Sequence, residues 1–197
     1  MSPTGRPHAP LTRVLRGDAV DSIHYGSVAV VDRDDRLVYA AGDPEFTCTT
    51  RSALKPLQAL PFVVDGGAER FGFGDAELAL MCASHSGEPR HVTGVATMLE
   101  RAGLSGADLQ CGVHVPLYYT ALEKPAPLGV TFSSLHHNCS GKHAGMLACC
   151  RLHDERTTDY LAPEHPLQQR IRQAVSRLAG VASTDLRMGI DGCAAPN

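Results

Sequence analysis

The residues best suited to chemistry lie in the segment Cys48–Leu60, where Ser52 and Lys55 are three residues apart. If a helix begins near Ser52, this spacing puts the hydroxyl and the amine on one face, with Cβ atoms about 5–6 Å apart. A serine is a weak nucleophile until a neighbouring base takes its proton. A lysine can act as that base only where burial or a nearby cation lowers its pKa toward neutrality. Pro56 fits the first turn of such a helix, whereas Pro61 predicts that the helix bends or ends early.

Lysine is rare in this chain, which gives weight to the positions where it occurs. Of the 18 basic residues, 15 are Arg and three are Lys, namely Lys55, Lys124 and Lys142. A guanidinium cannot lose its proton, so lysine at positions 55 and 142 indicates amines that must do so. Because Ser-x-x-Lys also arises by chance, the pair alone does not establish catalysis.

A second hydroxyl follows in the segment Met81–Glu88, which places Ser84, His85 and a carboxylate around Gly87 at the end of a predicted helix. One interpretation is a capped, solvated loop. The other is that Ser84 lies beside the Ser52/Lys55 pair, where it relays a proton or holds the substrate.

The densest cluster of functional side chains is the segment His137–Met146. It is not a phosphate-binding loop, because the first glycine and the following Ser/Thr of that motif are missing. Cys139 and Lys142 would share a metal if a third ligand converged on them, and Cys193 is a candidate. Thiolates favour zinc, and three protein ligands leave one position open, although a lysine ligand requires the neutral amine. The alternative is that both cysteines are small buried residues.

Composition narrows the class of protein. With 197 residues, 43% of them hydrophobic and 20% charged, the chain is predicted to be a soluble globular protein. A net charge of −3 does not indicate the basic surface that would bind nucleic acid or an anionic membrane. The start lacks an apolar signal region, and no run is long enough to span a bilayer. Seven cysteines in irregular spacing argue against a disulfide framework, so we expect a cytoplasmic protein.

The elements that must position these residues are short strands followed by helices. Residues 1–12 are Pro-rich and are predicted to be a disordered tail. Two strands joined by a turn are predicted over 27–41. Four helices are predicted, over residues 75–83, 91–102, 143–153 and 166–179. The last helix carries an apolar stripe that we assign to the core, formed by Leu167, Ile171, Val175 and Leu178.

Taken together, these segments resemble the L-asparaginase family typified by the inducible, thermolabile asparaginase of rhizobia. Nine segments match in order from residue 13 to the end, and several are far longer than a chance motif. They are Arg16–Asp18 (with Ser22–Gly26 after it), Gly42–Pro44, Arg51–Pro61, Glu77–Leu80, Ala83–Glu88, Cys111–Gly112, Asn138–His143, His165–Gln168 and Gly189–Cys193.

The resemblance implies a role for each matching residue. Ser52 aligns with the family's nucleophilic serine, Lys55 with its tandem lysine and Ser84 with the second active-site serine. Zinc ligands beside the active site align with Cys139, Lys142 and Cys193. Two residues, Asp191 and His143, match polar residues near that metal. The full set predicted to bind substrate is Arg51, His85, Asn138, His143 and Asp191.

The resemblance also implies a fold and a reaction. The family's fold is similar to that of serine β-lactamases and penicillin-binding proteins, so we expect an α+β domain with a central sheet flanked by helices. Its reaction is hydrolysis of L-asparagine to L-aspartate and ammonia through an acyl-enzyme. We therefore expect an amidohydrolase with a small-molecule substrate, zinc as a cofactor, no nucleic-acid or membrane partner, and a homodimer as a candidate assembly.

Family members run well past residue 197, and their later part supplies another active-site lysine and several strands. Here Lys124 precedes Pro and Lys142 precedes His, so no Lys-Ser/Thr-Gly motif is present. We expect residues 13–197 to be the N-terminal part of a single domain that is incomplete at its C-terminus. We also expect the isolated chain to be marginally stable and inactive on asparagine. Two alternatives stay open: a β-lactamase-like acyl hydrolase, and a zinc-binding remnant without catalysis.

Overall fold

The structure is a computed structural model that describes residues 7–196. The chain divides into two compact units, Met1–Thr49 and Thr50–Asn197, and the single domain expected over residues 13–197 stays a prediction. Of the disordered tail predicted over residues 1–12, residues 1–6 lie outside the described residues. The prediction is wrong from Ala9 onward, because the backbone pairing of strand β1 (Ala9–Arg16) orders this segment.

The first unit consists of two antiparallel hairpins. Strand β1 pairs with β2 (Ala19–Gly26), and β3 (Val28–Val31) pairs with β4 (Leu37–Ala41). The second hairpin confirms the predicted strand–turn–strand pattern. In its turn, the Asp32 carboxylate accepts hydrogen bonds from the backbone N–H groups of Asp34 and Arg36, at 2.8 and 3.0 Å.

These strands correct one part of the fold prediction. In residues 7–196 they form two separate two-stranded sheets instead of one central sheet flanked by helices. Each sheet consists of two strands that are neighbours in sequence and are joined by a short turn, a connection that antiparallel pairing allows. The α+β class is confirmed, since the strands come first and the helices follow. The likeness to β-lactamases stays a prediction.

The second unit is helical over its described residues, 50–196. Its helices are α1 (Lys55–Val64), α2 (Gly67–Phe71), α3 (Asp75–Cys82), α4 (Pro89–Arg101), α5 (Leu117–Ala121), α6 (Ser140–Leu152) and α7 (Pro166–Ala179). Three short 3-10 turns complete it, at Arg51–Leu54, Gly106–Asp108 and Ser134–His136. None of the described helices is both long and apolar enough to cross a membrane.

Helix α6 forms the centre of this unit, and every residue from Ser140 to Cys150 is buried. Helices α1, α3 and α4 pack around it. Two glycines on α6 allow a close approach to α3. A Cβ at Gly141 would clash with the backbone carbonyl of Leu80, and one at Gly145 would meet the side chain of Met81. Helix α3, which ends just before Ser84, is thereby held against α6.

The helix predictions hold with shifted ends. The helix over 166–179 is confirmed, and it ends at Gly180 with φ +63°. Helices α4 and α6 begin two and three residues before the predicted starts. The apolar stripe on α7 is buried at Leu167 and Ile171, whereas Leu178 is 59% exposed. A bend or an early end was predicted at Pro61: the early end is wrong, and the bend stays a prediction. Helix α1 continues to Val64, because Phe62, 1% exposed, anchors it in the core.

Candidate active site

Ser52 lies in the 3-10 turn Arg51–Leu54, and the α-helix begins at Lys55, three residues later than predicted. Residues three apart eclipse each other in a 3-10 turn, so Ser52 and Lys55 still share one side of the backbone. Pro56 occupies the first turn of α1, as predicted. The preceding residue, Arg51, has φ +50°, a left-handed conformation that non-glycine residues rarely adopt.

The structure brings Ser84 to Ser52 and Lys55, as the sequence predicts. The two serine Oγ atoms are 3.0 Å apart. Lys55 Nζ donates to Ser84 Oγ at 2.7 Å and to the carbonyl oxygen of Ala83 at 2.8 Å. Lys55 is 2% exposed, whereas both serines are exposed. The arrangement is a hydrogen-bonded chain from a solvent-accessible hydroxyl, through a second hydroxyl, to a buried amine.

His85 fixes the loop that carries Ser84. Its backbone N–H donates to the carbonyl of Asn138 at 3.1 Å, and its ring Nδ1 accepts from Gly87 N–H at 3.2 Å. The ring proton is therefore on Nε2, which donates to Ser140 Oγ at 2.9 Å. Burial, with the nearby charges of His91 and Lys55, lowers the pKa of His85 to about 4. Both ring nitrogens are engaged within the protein, so the predicted substrate contact would have to break one of these bonds.

Two imidazoles to which the sequence motifs assigned no role lie beside Asn138. The Asn138 side-chain amide lies 3.0 Å from His114 Nε2, and the ring of His114 meets that of His137 edge-on at 4.3 Å. Burial and the charge of His114 lower the pKa of His137 to about 4. His137 adjoins the Asn138–His143 motif and could have been singled out. His114 lies in an irregular stretch that gave no signal.

The second predicted cluster also assembles. Lys142 Nζ donates to Asp191 Oδ2 at 2.6 Å and lies 3.0 Å from Cys193 Sγ. Asp191 Oδ1 accepts from the backbone N–H groups of Cys193 and Ala195, each at 2.9 Å. Cys139, Lys142 and Cys193 are all buried. Two of the predicted metal ligands, Lys142 and Cys193, thus meet, and Asp191 holds both the amine and the turn that carries Cys193.

The groups of this cluster shift one another's pKa values, and the hydrogen bond that lowers the pKa of Cys139 raises that of Cys193. Although burial acts in the opposite direction, hydrogen bonds from Lys142 and Cys193 lower the pKa of Asp191 to about 2. The hydrogen bond with Asp191 likewise overcomes burial and raises the pKa of Lys142. A hydrogen bond with Cys193 outweighs burial at Cys139 and, with the charges of Lys55 and Lys142, lowers the pKa of its thiol to about 6. The cluster without metal is therefore an ion pair beside an acidic thiol, and it adjoins Lys55.

His143 lies beside this cluster and is fully buried. Its Nδ1 is 2.7 Å from the hydroxyl of Tyr160, which also accepts a hydrogen bond from Gln110 N–H at 3.0 Å. Within the described part of the chain, His143 Nε2 has no hydrogen-bond partner of ordinary geometry. The predicted substrate contact of His143 stays a prediction. Tyr160 was missed, because nothing in its local sequence points to a residue 17 positions away.

A second group of metal-type side chains, Cys150, Glu155 and His165, brings its ligand atoms within 4.8 Å of one another. It is poorly suited to an ion. His165 Nδ1 accepts from Leu167 N–H and its Nε2 donates to the carbonyl of Arg156, so neither nitrogen has a free lone pair. Burial raises the pKa of Cys150 to about 12, which disfavours the thiolate. His165 instead caps the N-terminus of α7, and Glu155 pairs with Arg170 of the same helix.

The family of the chain follows from comparison with known proteins. No curated protein matched the sequence in this comparison. A family model described as L-asparaginase II matches residues 12–197. The match includes every residue of the Ser52–Ser84–Lys55 chain and of the cluster around Cys193. Since it covers nearly the whole sequence, the chain belongs to the L-asparaginase II family.

Proposed function

We propose that the protein is an amidohydrolase that converts L-asparagine to L-aspartate and ammonia, with Ser52 as its nucleophile. The observation that carries the proposal is the hydrogen-bonded chain from Ser52 through Ser84 to Lys55. It gives the exposed nucleophile a route by which its proton can leave. Membership of the L-asparaginase II family supports the substrate class.

The geometry favours an indirect transfer of that proton. The Ser84 hydroxyl lies between the other two groups, 3.0 Å from Ser52 Oγ and 2.7 Å from Lys55 Nζ. When Lys55 is a free amine, Ser84 can pass its proton to Nζ and accept the proton of Ser52. The Ser52 alkoxide then attacks the side-chain carbonyl of asparagine and forms a tetrahedral intermediate.

Collapse of this intermediate needs a proton on the departing nitrogen. The same chain can return it, from Lys55 through Ser84, so that ammonia leaves and Ser52 holds an aspartyl ester. Water then attacks the ester with the chain acting again as base, and aspartate is released. The carbonyl of Ala83, which accepts from Lys55 at 2.8 Å, holds the amine in place throughout.

A zinc site next to this chain is part of the proposal. The donor set is of the type that binds zinc, because Lys142 lies beside Cys193 and the lowered pKa of Cys139 favours its thiolate. The hydrogen bond with Cys139 and burial raise the pKa of Cys193, so this thiol would have to lose its proton to the metal. Lys142 would have to exchange its contact with Asp191 for the metal and lose a proton. Bound by Cys139, Lys142 and Cys193, zinc would supply a fixed positive charge and an open coordination position beside Lys55.

The test of catalysis is ammonia release from L-asparagine. It should be measured on the 197-residue chain and on a version extended through any downstream reading frame, with L-glutamine and nitrocefin as comparison substrates. We expect the active form to lose all turnover in Ser52→Ala while its circular dichroism and unfolding temperature are unchanged. Ammonia release that persists in Ser52→Ala, or its absence from both forms, would overturn the proposal.

The lysine is tested by a matched pair of substitutions. Lys55→Arg should lose activity as completely as Ser52→Ala, because a guanidinium cannot accept the proton. Lys124→Arg is the control, since Lys124 is exposed and lies outside both clusters. If Lys55→Arg hydrolyses asparagine as fast as Lys124→Arg does, Lys55 has no part in the mechanism.

A further inference from the structure

The start of α1, which carries Lys55 and follows Ser52, is not fixed by a capping side chain. Neither the 3-10 turn Arg51–Leu54 nor α1 itself has a side-chain hydrogen bond at its N-cap. Pro56, in the first turn of α1, has no N–H to donate. Helix ends that lack such partners fray unless other contacts hold them. The geometry of Ser52 and Lys55 therefore depends on contacts that α1 makes across the fold.

Gln58 makes such a contact one helix turn beyond Lys55. It is 4% exposed and belongs, like Lys55, to the buried residues of α1. Its side-chain Nε2 donates to the backbone carbonyl of Pro196 at 3.0 Å, across 138 residues of sequence. Because a carbonyl can only accept, this contact also determines which end of the amide faces Pro196. Gln58 Oε1 is left buried without a hydrogen-bond partner among residues 7–196.

The acceptor of this bond belongs to a closed turn, residues 190–196. Ile190 and Pro196 form an antiparallel bridge, and the backbone N–H of Asp191 donates to the carbonyl of Ala195 at 2.9 Å. At the tip, Ala194 N–H donates back to the carbonyl of Asp191 at 3.1 Å. Ala195 is 0% exposed, and Pro196 is buried as well. A turn that is closed by its own backbone and buried at its end offers a fixed carbonyl to Gln58.

We propose that Gln58 is a positioning residue, which ties the start of α1 to the turn over residues 190–196 and so fixes Lys55 relative to Ser84. Gln58 lies outside the hydrogen-bonded chain from Ser52 to Lys55 and acts on it through the backbone of α1. That chain depends on bonds of 2.7 and 3.0 Å at Ser84 Oγ. A misplacement of about 1 Å can reduce a rate about 100-fold. The effect on rate rests on the proposed function, whereas the tie between α1 and the turn does not.

The test compares two buried glutamines that make the same kind of bond. Gln168, on α7, is 2% exposed, and its Nε2 donates to the backbone carbonyl of Tyr160 at 2.8 Å. Methionine is close to glutamine in shape and has no N–H to donate, so Gln58→Met and Gln168→Met each remove one such bond. Gln58→Met should not lower the unfolding temperature more than Gln168→Met does, because it also removes an unpaired buried acceptor.

Steady-state kinetics, in whichever form of the protein hydrolyses asparagine, give the first readout. Gln58→Met should lower kcat about 10–100-fold, because Lys55 is no longer held in place. KM should change less than about twofold, since the lost bond joins two buried groups of the protein. Gln168→Met should leave both constants within about twofold of the wild type. An unchanged kcat in Gln58→Met, a rise in KM in its place, or equal falls in the two variants would overturn the positioning role.

Hydrogen exchange followed by NMR gives a second readout that needs no activity. In wild-type protein labelled with ¹⁵N-glutamine, the Gln58 side-chain N–H signals, assigned by their loss in Gln58→Met, should exchange slowly because the group is buried and bonded. In Gln58→Met, the backbone N–H groups of Ala194 and Ala195, which donate to Asp191, should exchange about tenfold faster. Gln168→Met should leave their exchange unchanged.

The outcomes separate this inference from the proposed function. Fast exchange of the Gln58 side-chain N–H group in wild-type protein overturns the tie without any variant. So does unchanged exchange at Ala194 and Ala195 in Gln58→Met. If no form of the protein hydrolyses asparagine, the proposed function fails, and the exchange rates alone decide whether Gln58 ties α1 to the turn.

Discussion

Two buried lysines of this protein have different partners. Lys55 donates to two neutral oxygens, Ala83 O and Ser84 Oγ, whereas Lys142 forms an ion pair with the Asp191 carboxylate. An amine that must give and take protons is best held by groups that do not themselves titrate near neutrality. An amine held by a carboxylate is kept charged until something displaces it. The two contacts therefore support a proton-transfer role for Lys55 and a structural or metal-binding role for Lys142.

The ion pair gives a stability prediction. Asp191→Asn should destabilise metal-free protein by about 3–5 kcal/mol, because it leaves the charge of Lys142 buried without a partner. The free energy of unfolding in urea, with a chelator present, measures this. Asp159→Asn is the control, since its pair with Arg156 has side chains 46% and 62% exposed and should contribute under about 1 kcal/mol. Equal effects of the two substitutions would contradict the assigned role of Asp191.

The same pair predicts how stability depends on pH. The pKa of Asp191 is lower in the folded protein, about 2, than its ordinary value of 3.8. Its contribution is therefore present above about pH 4 and is lost as the pH falls toward 2. The difference in stability between wild type and Asp191→Asn should shrink over this window. A difference that stays constant from pH 5 to the acid transition would show that the pair is not its source.

At the scale of elements, the site depends on how closely α3 approaches α6. Lys55 is on α1, Ser84 follows α3, and the cysteine cluster begins at the start of α6. A shift of α3 along or away from α6 would move Ala83 and Ser84 relative to Lys55. The glycines of α6 set this spacing, because a side chain in their place meets α3.

Two substitutions on one face of α6 test this spacing. Gly141→Ala should destabilise the protein by about 1–3 kcal/mol and reduce asparagine hydrolysis, since its Cβ meets the rigid backbone carbonyl of Leu80. Gly145→Ala should destabilise the protein less. Its Cβ meets the flexible side chain of Met81, and alanine gains about 0.8–1 kcal/mol over glycine in a helix. Thermal unfolding and asparagine hydrolysis should be measured for both variants. A larger loss of stability or activity in Gly145→Ala than in Gly141→Ala would contradict this explanation.

At the scale of the whole molecule, zinc binding and folding should be coupled. The proposed ligands lie on α6 and on a turn 51 residues beyond Lys142, so they converge only in the folded chain. A ligand that binds only the folded state at 100 times its dissociation constant stabilises it by about 2.7 kcal/mol. For a chain of this size, each kcal/mol raises the unfolding temperature by about 2–4 °C.

We therefore expect free zinc to raise the unfolding temperature of the metal-free protein by several degrees. The rise should be absent in Cys193→Ser and retained in Cys48→Ser. Elemental analysis should find about one zinc per chain in the latter. A zinc-dependent rise that survives Cys193→Ser would place the metal elsewhere. The homodimer and the cytoplasmic location expected from the sequence stay predictions.

Local features were predictable from the sequence because they depend on neighbouring residues. The hairpin over residues 28–41 follows from two short apolar strands around an Asp-rich turn. The helix over residues 166–179 follows from a proline at its start and a glycine after its end. Ser52 and Lys55 could be paired for the same reason, since three residues of backbone keep them on one side. The order of the motifs was enough to suggest the family.

The tertiary structure decided what depends on contacts between distant residues. Nothing local determines that Ser84 bridges Ser52 and Lys55, that Asp191 reaches Lys142 across 49 residues, or that Tyr160 meets His143. These contacts arise because α1, α3 and α6 pack into one core, in which glycines set the distance between backbones. Tertiary packing and strand pairing also overrode two predictions made from local sequence. Phe62 keeps α1 helical beyond Pro61, and strand pairing orders residues 9–12. Residue types alone limited the possible chemistry, and burial with long-range hydrogen bonding then determined which side chains meet.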